Sequence, residues 1–332
     1  MREKILEVKN LKTSFFTVSG EVKAVDGVSF YLNKGEIIAV VGESGCGKSV
    51  TQMSMVQLIQ SPPGKIMDGE VWFDGRDILK FKAKSKELQA IRGAGIAFIF
   101  QEPMTALNPV YTVGSQLTEV IRKHKKVSKR EAWELGIQAL KDVQIPDPEN
   151  RMNNYPFELS GGMRQRICIA IAVACDSKVI VADEPTTALD VTIQAQVMEL
   201  LQKIVDEKGT SLIVVTHNLG LVTRHAERIY VMYAGKIIES GTTEEIITKP
   251  QHPYTMGLLK SVPKLDEKDD AQLIPIDGAP PSLINLPNTC AFMPRCPYAC
   301  EKCKNSPYPA YRQVPGHEHY VACHLDPSEV ER

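Results

Sequence analysis

Glu36-Ile37-Ile38-Ala39-Val40-Val41, running straight into Gly42-Glu43-Ser44-Gly45-Cys46-Gly47-Lys48-Ser49, decides the fold. The first six residues form the apolar run of a strand buried on both faces, and Ser49 to Leu58 beyond the glycines reads as a helix. The eight residues between fit G-x-x-x-x-G-K-[ST], and strand, glycine loop, helix is the context that makes this motif a phosphate loop. The glycines let backbone N–H groups turn toward phosphate oxygens, and the helix N-terminus adds roughly half a positive charge. Lys48 is expected to reach the β and γ phosphates of a nucleotide, and the Ser49 hydroxyl to ligate Mg²⁺.

Outward from this loop the chain reads as α/β. Strand patterns occupy Ile5 to Val8, Glu21 to Val25, Val28 to Leu32, Glu70 to Phe73 and Ile96 to Phe100. Between Gln116 and Ala174 apolar residues recur at three- and four-residue spacing, as in Leu117, Val120 and Ile121, which marks a helical insert. Strands return at Val179 to Ala182, Leu212 to Val215 and Ile229 to Tyr233, with a helix over Ile193 to Val205, as βαβ units of a parallel sheet require.

The strand Val179 to Ala182 ends in Asp183 and Glu184, and active groups of open α/β sheets lie at the carboxyl ends of strands. Asp183 is expected to help hold Mg²⁺, which prefers oxygen ligands, and Glu184 to accept a proton from an attacking water. Leu159-Ser160-Gly161-Gly162-Met163 supplies a serine N-cap and two glycines opening a helix, a second place for N–H groups to meet an anion.

With these residues the chain resembles the nucleotide-binding subunit of an ATP-binding cassette (ABC) transporter, whose signature is LSGGQ; Met163 here takes the fifth position. The resemblance covers about residues 1 to 250. It implies a P-loop NTPase, RecA-like nucleotide-binding domain over 1–260 with a helical subdomain near 102–175, followed by a proline- and cysteine-rich extension over 261–332. It places Gln101 as a sensor of Mg²⁺ and of the attacking water, and Ala188-Leu189-Asp190 as a loop facing the opposite subunit. His217 contacts the γ-phosphate in this reading. Phe15, or its neighbour Phe16, stacks on adenine. The nucleotide-binding set is then Phe15, Gly42, Glu43, Ser44, Gly45, Cys46, Gly47, Lys48, Ser49, Ser160, Gly161, Gly162 and Asp190. Glu184, His217 and Gln101 are the catalytic residues, and Ser49, Gln101 and Asp183 the Mg²⁺ ligands. Signature and phosphate loop of opposite subunits share each ATP in this family, so a dimer is implied.

Phe100-Gln101-Glu102-Pro103-Met104-Thr105-Ala106-Leu107-Asn108-Pro109, His252-Pro253-Tyr254-Thr255 and Gly278-Ala279-Pro280-Pro281 narrow the resemblance to ATPases of oligopeptide, dipeptide and nickel importers. These imply a second related ATPase subunit, with a homodimer possible in isolation, two membrane permeases and an extracytoplasmic substrate-binding protein. The chain then lies peripherally on the cytoplasmic face of the membrane. Peptides are the first cargo and nickel or another small solute the alternative. A soluble ABC ATPase acting on DNA or the ribosome is the rival; the long coiled coil or second cassette of such proteins is not seen between Ser49 and Ser160 or elsewhere.

Bulk properties agree. Thirty-nine Lys and Arg against 40 Asp and Glu leave a net charge of −1, which argues against nucleic acid as a partner. The six Lys or Arg between Arg122 and Arg130 read as a solvated helix face. Ile167 to Cys175, the longest apolar run, is about half of a bilayer span. MREKILEVKNL shows no apolar h-region, so no secretion signal is expected.

Eight cysteines in an intracellular chain point to thiols or metal rather than disulfides. Five of them, Cys290, Cys296, Cys300, Cys303 and Cys323, crowd the tail, where ten of the 21 prolines lie between Pro275 and Pro327, and little apolar core is expected there. Zinc favours paired C-x₂-C units, and only Cys300-x₂-Cys303 is one. The resemblance instead singles out Cys290, Cys296, Cys303 and Cys323 for a structural [4Fe–4S] cluster, with Cys300 a bystander and Zn²⁺ the alternative, His324 then replacing a thiolate. Cys296-x₃-Cys300-x₂-Cys303 also has the spacing of radical S-adenosylmethionine enzymes, a coincidence in a chain with a phosphate loop.

Overall fold

The computed structural model describes residues 2–187, 189–261 and 275–325; Ala188 and the composition shift near Leu265 lie outside them. Strands are β1 (Lys4–Thr17), β2 (Gly20–Asn33), β3 (Ile37–Val41), β4 (Gly64–Phe73), β5 (Arg76–Asp77), β6 (Ile96–Ile99), β7 (Val179–Asp183), β8 (Ser211–Thr216), β9 (Arg228–Tyr233), β10 (Lys236–Thr242), β11 (Arg312–Gln313) and β12 (Tyr320–Val321). Helices are α1 (Lys48–Met55), α2 (Lys86–Ala94), α3 (Pro103–Ala106), α4 (Val113–Lys125), α5 (Lys129–Asp142), α6 (Pro148–Arg151), α7 (Gly161–Val173), α8 (Val191–Lys208), α9 (Leu219–Val222), α10 (Thr243–Thr248), α11 (Pro253–Lys260) and α12 (Glu301–Asn305).

Two compact units divide these elements. The first comprises the described residues within Met1–Ile5, Leu32–Ile37 and Lys80–Val215. Its strands β6, β7 and β8 pair in parallel, with Ile99 opposite Ala182 and Ala182 opposite Val214. Every residue of β7 and β8 is buried, which explains their unbroken apolar sequence. The inserted helices begin where short polar side chains cap them. Thr112 accepts from Ser115 N–H for α4, and Ser128 from Glu131 N–H for α5.

The second unit holds Leu6–Tyr31, Ile38–Leu79 and the described residues from Thr216 onward. One of its sheets runs in the order β2-β1-β4-β5. In the other, β3 lies parallel to β9, with Val40 opposite Tyr230, and β10, β12 and β11 follow antiparallel. The sequence breaks β2 at Asp26-Gly27, which reads as a turn. The structure keeps the strand continuous because Gly27 takes φ 82° and the Asp26 N–H donates to Gly235 O at 2.8 Å.

The tail has more apolar core than its composition suggests. Val321 opposite Glu239 adds a strand to β10, and Val321, Ala322 and Phe292 are buried. The carboxylate of Glu239 is wholly buried yet well satisfied. His319 Nε2 donates to it at 2.7 Å, and the backbone N–H groups of Gln251 and His252 donate as well. Short segments pinned by buried polar contacts carry almost no hydrophobic periodicity, so the sequence reads them as loop.

Candidate functional site

In the second unit, β3 delivers its last buried valine to Gly42, and the loop 42–47 wraps back before α1 begins at Lys48. Two glycines are sterically required. A Cβ on Gly42 would lie 2.2 Å from Met232 O, and one on Gly47 would lie 2.1 Å from Ala24 O. Gly47 also takes φ 104°, which L side chains resist. Gly45, at the exposed crest beside Ser44, has nothing within 4 Å of its Cβ position, leaving room for a ligand. Lys48 is buried, and its ammonium donates to Gly42 O at 2.7 Å and Glu43 O at 3.0 Å, closing the loop into a ring. Cys46 is buried against Gly42 in this loop, and burial raises its thiol pKa. Ser49 follows, half-buried. A glycine loop with exposed residues at its crest and a cation at its base fits a nucleotide triphosphate.

Glu43 is anchored by residues that sequence reasoning missed. Its N–H donates to the Tyr254 hydroxyl at 2.8 Å. Its carboxylate receives both Arg295 Nη groups, at 2.7 and 2.9 Å. The HPYT stretch is visible in the sequence, but nothing in it ties residue 254 or 295 to residue 43.

In the first unit, Asp183 closes β7 and Glu184 follows at φ 46°, an uncommon conformation for a glutamate. The strain is held in place by the Glu184 N–H, which donates to Val215 O at 2.8 Å. Both side chains are buried. Glu184 Oε2 accepts from Gln101 Nε2 at 3.0 Å and from Thr187 Oγ1 at 2.9 Å. Gln101 and Glu184 therefore come together here, with Thr187 as an unforeseen member and Asp183 preceding Glu184 at the end of β7.

Ser160 caps α7, accepting from Met163 N–H at 3.3 Å, and Ser160 and Gly161 are exposed, with no atom near a Cβ on Gly161. Asp190 caps α8 by accepting from Ile193 N–H at 3.0 Å. His217 is exposed and directly follows β8. Phe15 is half-buried with its ring edge against Gly64, whereas Phe16 is 49% exposed.

The tail cysteines do not form a finished metal centre. Among the described residues no three His, Cys, Asp or Glu side chains converge closely enough to hold a metal ion. Cys300 Sγ and Cys303 Sγ lie 3.6 Å apart. Burial pushes Cys296 up to about 12 and Cys323 up to about 11, and Cys290 and Cys303 reinforce both shifts. No described helix is long and apolar enough to cross a membrane.

The profile of the ABC transporter family matches residues 25–187, and that of the oligopeptide/dipeptide transporter C-terminal region matches residues 238–303. The dipeptide transport ATP-binding protein DppD of Bacillus subtilis is 50% identical over 329 residues, 99% of this chain and 97% of that one. The oligopeptide transport ATP-binding protein OppD of the same organism is 51% identical, covering 89% and 82% of the two chains. Among solved structures, a dimeric post-hydrolysis state of the ATP-binding cassette MJ0796, bound to ADP and Pi, matches at TM-score 0.63 and 29% identity over 72% of this chain and 98% of its own.

Proposed function

This chain belongs to the ABC transporter family, and from that membership we propose that it is the ATP-hydrolysing subunit that energises uptake of dipeptides or oligopeptides through a membrane importer. The observation that carries the reading is 50% identity, across almost the whole chain, to a protein named for dipeptide transport. An ATPase of this kind works as a dimer on the permease components of its transporter. The finer assembly in our reading is a heterodimer with a second related ATPase, two permeases and an extracytoplasmic binding protein, with this chain on the cytoplasmic face.

In the proposed chemistry, loop 42–49 holds the phosphates and Lys48 balances their charge. Ser49, Gln101 and Asp183 would hold Mg²⁺, whose charge would offset the negative charge of the phosphoryl oxygens. Glu184 takes the proton of the attacking water. Its carboxylate is fixed by Gln101 and Thr187, so it needs no reorientation to do so. His217 contacts the γ-phosphate, and an aromatic ring of Phe15 or Phe16 stacks on adenine. Ser160, Gly161 and Gly162 reach the nucleotide held by the opposite subunit, and Asp190 stands at that interface.

Reconstitution with the permeases and binding protein in sealed vesicles tests the reading. ATP-dependent accumulation of labelled di- and oligopeptides is expected; uptake of nickel and of no peptide would assign the alternative cargo.

The [4Fe–4S] cluster on Cys290, Cys296, Cys303 and Cys323 stays a proposal, with zinc as the alternative, and no catalytic step involves it. Its support is the resemblance, which singles out these four cysteines within 34 residues of sequence. The described arrangement is not that of a formed site. Chain purified without oxygen should carry about four irons, lost in Cys303→Ser and kept in Cys300→Ser. One zinc per chain in place of iron would show the other metal.

A further inference from the structure

Glu43 places a carboxylate inside a loop that must receive a polyanion, a like-charge conflict built into the sequence. The structure resolves it with a residue 252 positions away. Arg295 sits in the short turn Met293–Arg295, and its side chain is only 5% exposed. All its donors are engaged. Nη1 and Nη2 grip the two oxygens of Glu43, Nη1 also reaches Tyr233 Oη at 3.3 Å, Nη2 reaches Ile276 O at 3.3 Å, and Nε donates to Asp277 O at 2.9 Å. Phe292, immediately before that turn, packs edge-on against Tyr233 and Tyr254, with ring centroids 5.4 Å from each. Tyr254 in turn takes the N–H of Glu43. Such a five-contact guanidinium is pre-organised, and lysine could not reproduce it.

We propose that Arg295 is a positioning residue of the nucleotide site, neutralising Glu43 and holding the phosphate loop in the shape that accepts the triphosphate. This rests on the reading of residues 42–49 as that loop. The C-terminal turn is then part of the ATP site and not an appendage to it.

Equilibrium titration of the full chain with a fluorescent methylanthraniloyl ATP, displaced by ATP, tests this without relying on turnover. Arg295→Ala should raise the Kd for ATP by about tenfold, the order expected of one unbalanced charge in a partly exposed site. In steady-state hydrolysis KM should rise in step, with kcat changed much less. Adding Glu43→Gln to Arg295→Ala removes the charge that needs neutralising, so the double variant should recover most of the affinity. Arg295→Lys, which keeps charge but not the fork, should fall between. A purely structural anchor would leave the double variant as weak as Arg295→Ala, and that result, or an unchanged Kd in Arg295→Ala, overturns the proposal. If Arg295→Ala does not fold, Glu43→Gln alone decides: affinity equal to or above the parent supports the proposal, and a loss like that of Arg295→Lys overturns it. Lys48→Ala separates the two readings. Loss of ATP binding there upholds the loop, whereas normal binding would remove the loop reading and the proposal together.

Discussion

Glu184→Gln is expected to bind ATP as the parent does and to hydrolyse it about 10² to 10⁴ times more slowly, the usual loss when a general base is removed. The substitution is nearly isosteric. A glutamine oxygen in the place of Oε2 can still accept from Gln101 Nε2 and Thr187 Oγ1, so the local geometry survives and only basicity disappears. Single-turnover hydrolysis and nucleotide titration together separate the two quantities. Turnover within a few-fold of the parent would sink the assignment of Glu184 as base.

The second large effect is expected from Gly47→Ala. The added Cβ would stand 2.1 Å from the Ala24 carbonyl and 2.9 Å from Met232 Cε, on a backbone held at φ 104°. Over-packing against backbone costs about 1–3 kcal/mol, and a strained left-handed residue about 1–3 more. A loop forced out of register by that much should lose ATP affinity by about 10²-fold or more. Gly45→Ala is the informative comparison, since its Cβ meets nothing within 4 Å and only the φ of 78° resists it. Thermal melts of both variants without nucleotide should rank Gly47→Ala far below Gly45→Ala. The reverse order would contradict the packing of the loop.

Those two sites show what the sequence makes legible. Gly42 to Ser49 and Asp183-Glu184 are contiguous motifs, each tied to one strand end, and local pattern suffices to place them. Gln101 is read by resemblance, and the structure puts it on Glu184. Thr187 is hidden because a threonine after a turn carries no chemical signal of its own. The contacts of Tyr254 and Arg295 with Glu43 are hidden for a deeper reason: they join residues more than 200 positions apart, and no periodicity reports such pairs. The tail is under-read in the same way. β11 and β12 are two residues each, too short for alternation to show, and they exist because β10 offers them an edge. Glu239, a buried carboxylate in the middle of a strand, would argue against that strand until His319 and the 251–252 backbone supply its partners.

The distance along the chain from Glu43 to Arg295 also sets a clock. A ribosome adding about 5 to 20 residues per second needs about 10 to 50 s to pass from one to the other. During that interval the nascent phosphate loop carries its carboxylate without the guanidinium that faces it in the finished protein. A polypeptide that stops short of the turn Met293–Arg295 leaves Glu43 unmatched and Glu239 without His319. Full nucleotide affinity of a newly made chain would therefore come only after residue 295 has been added.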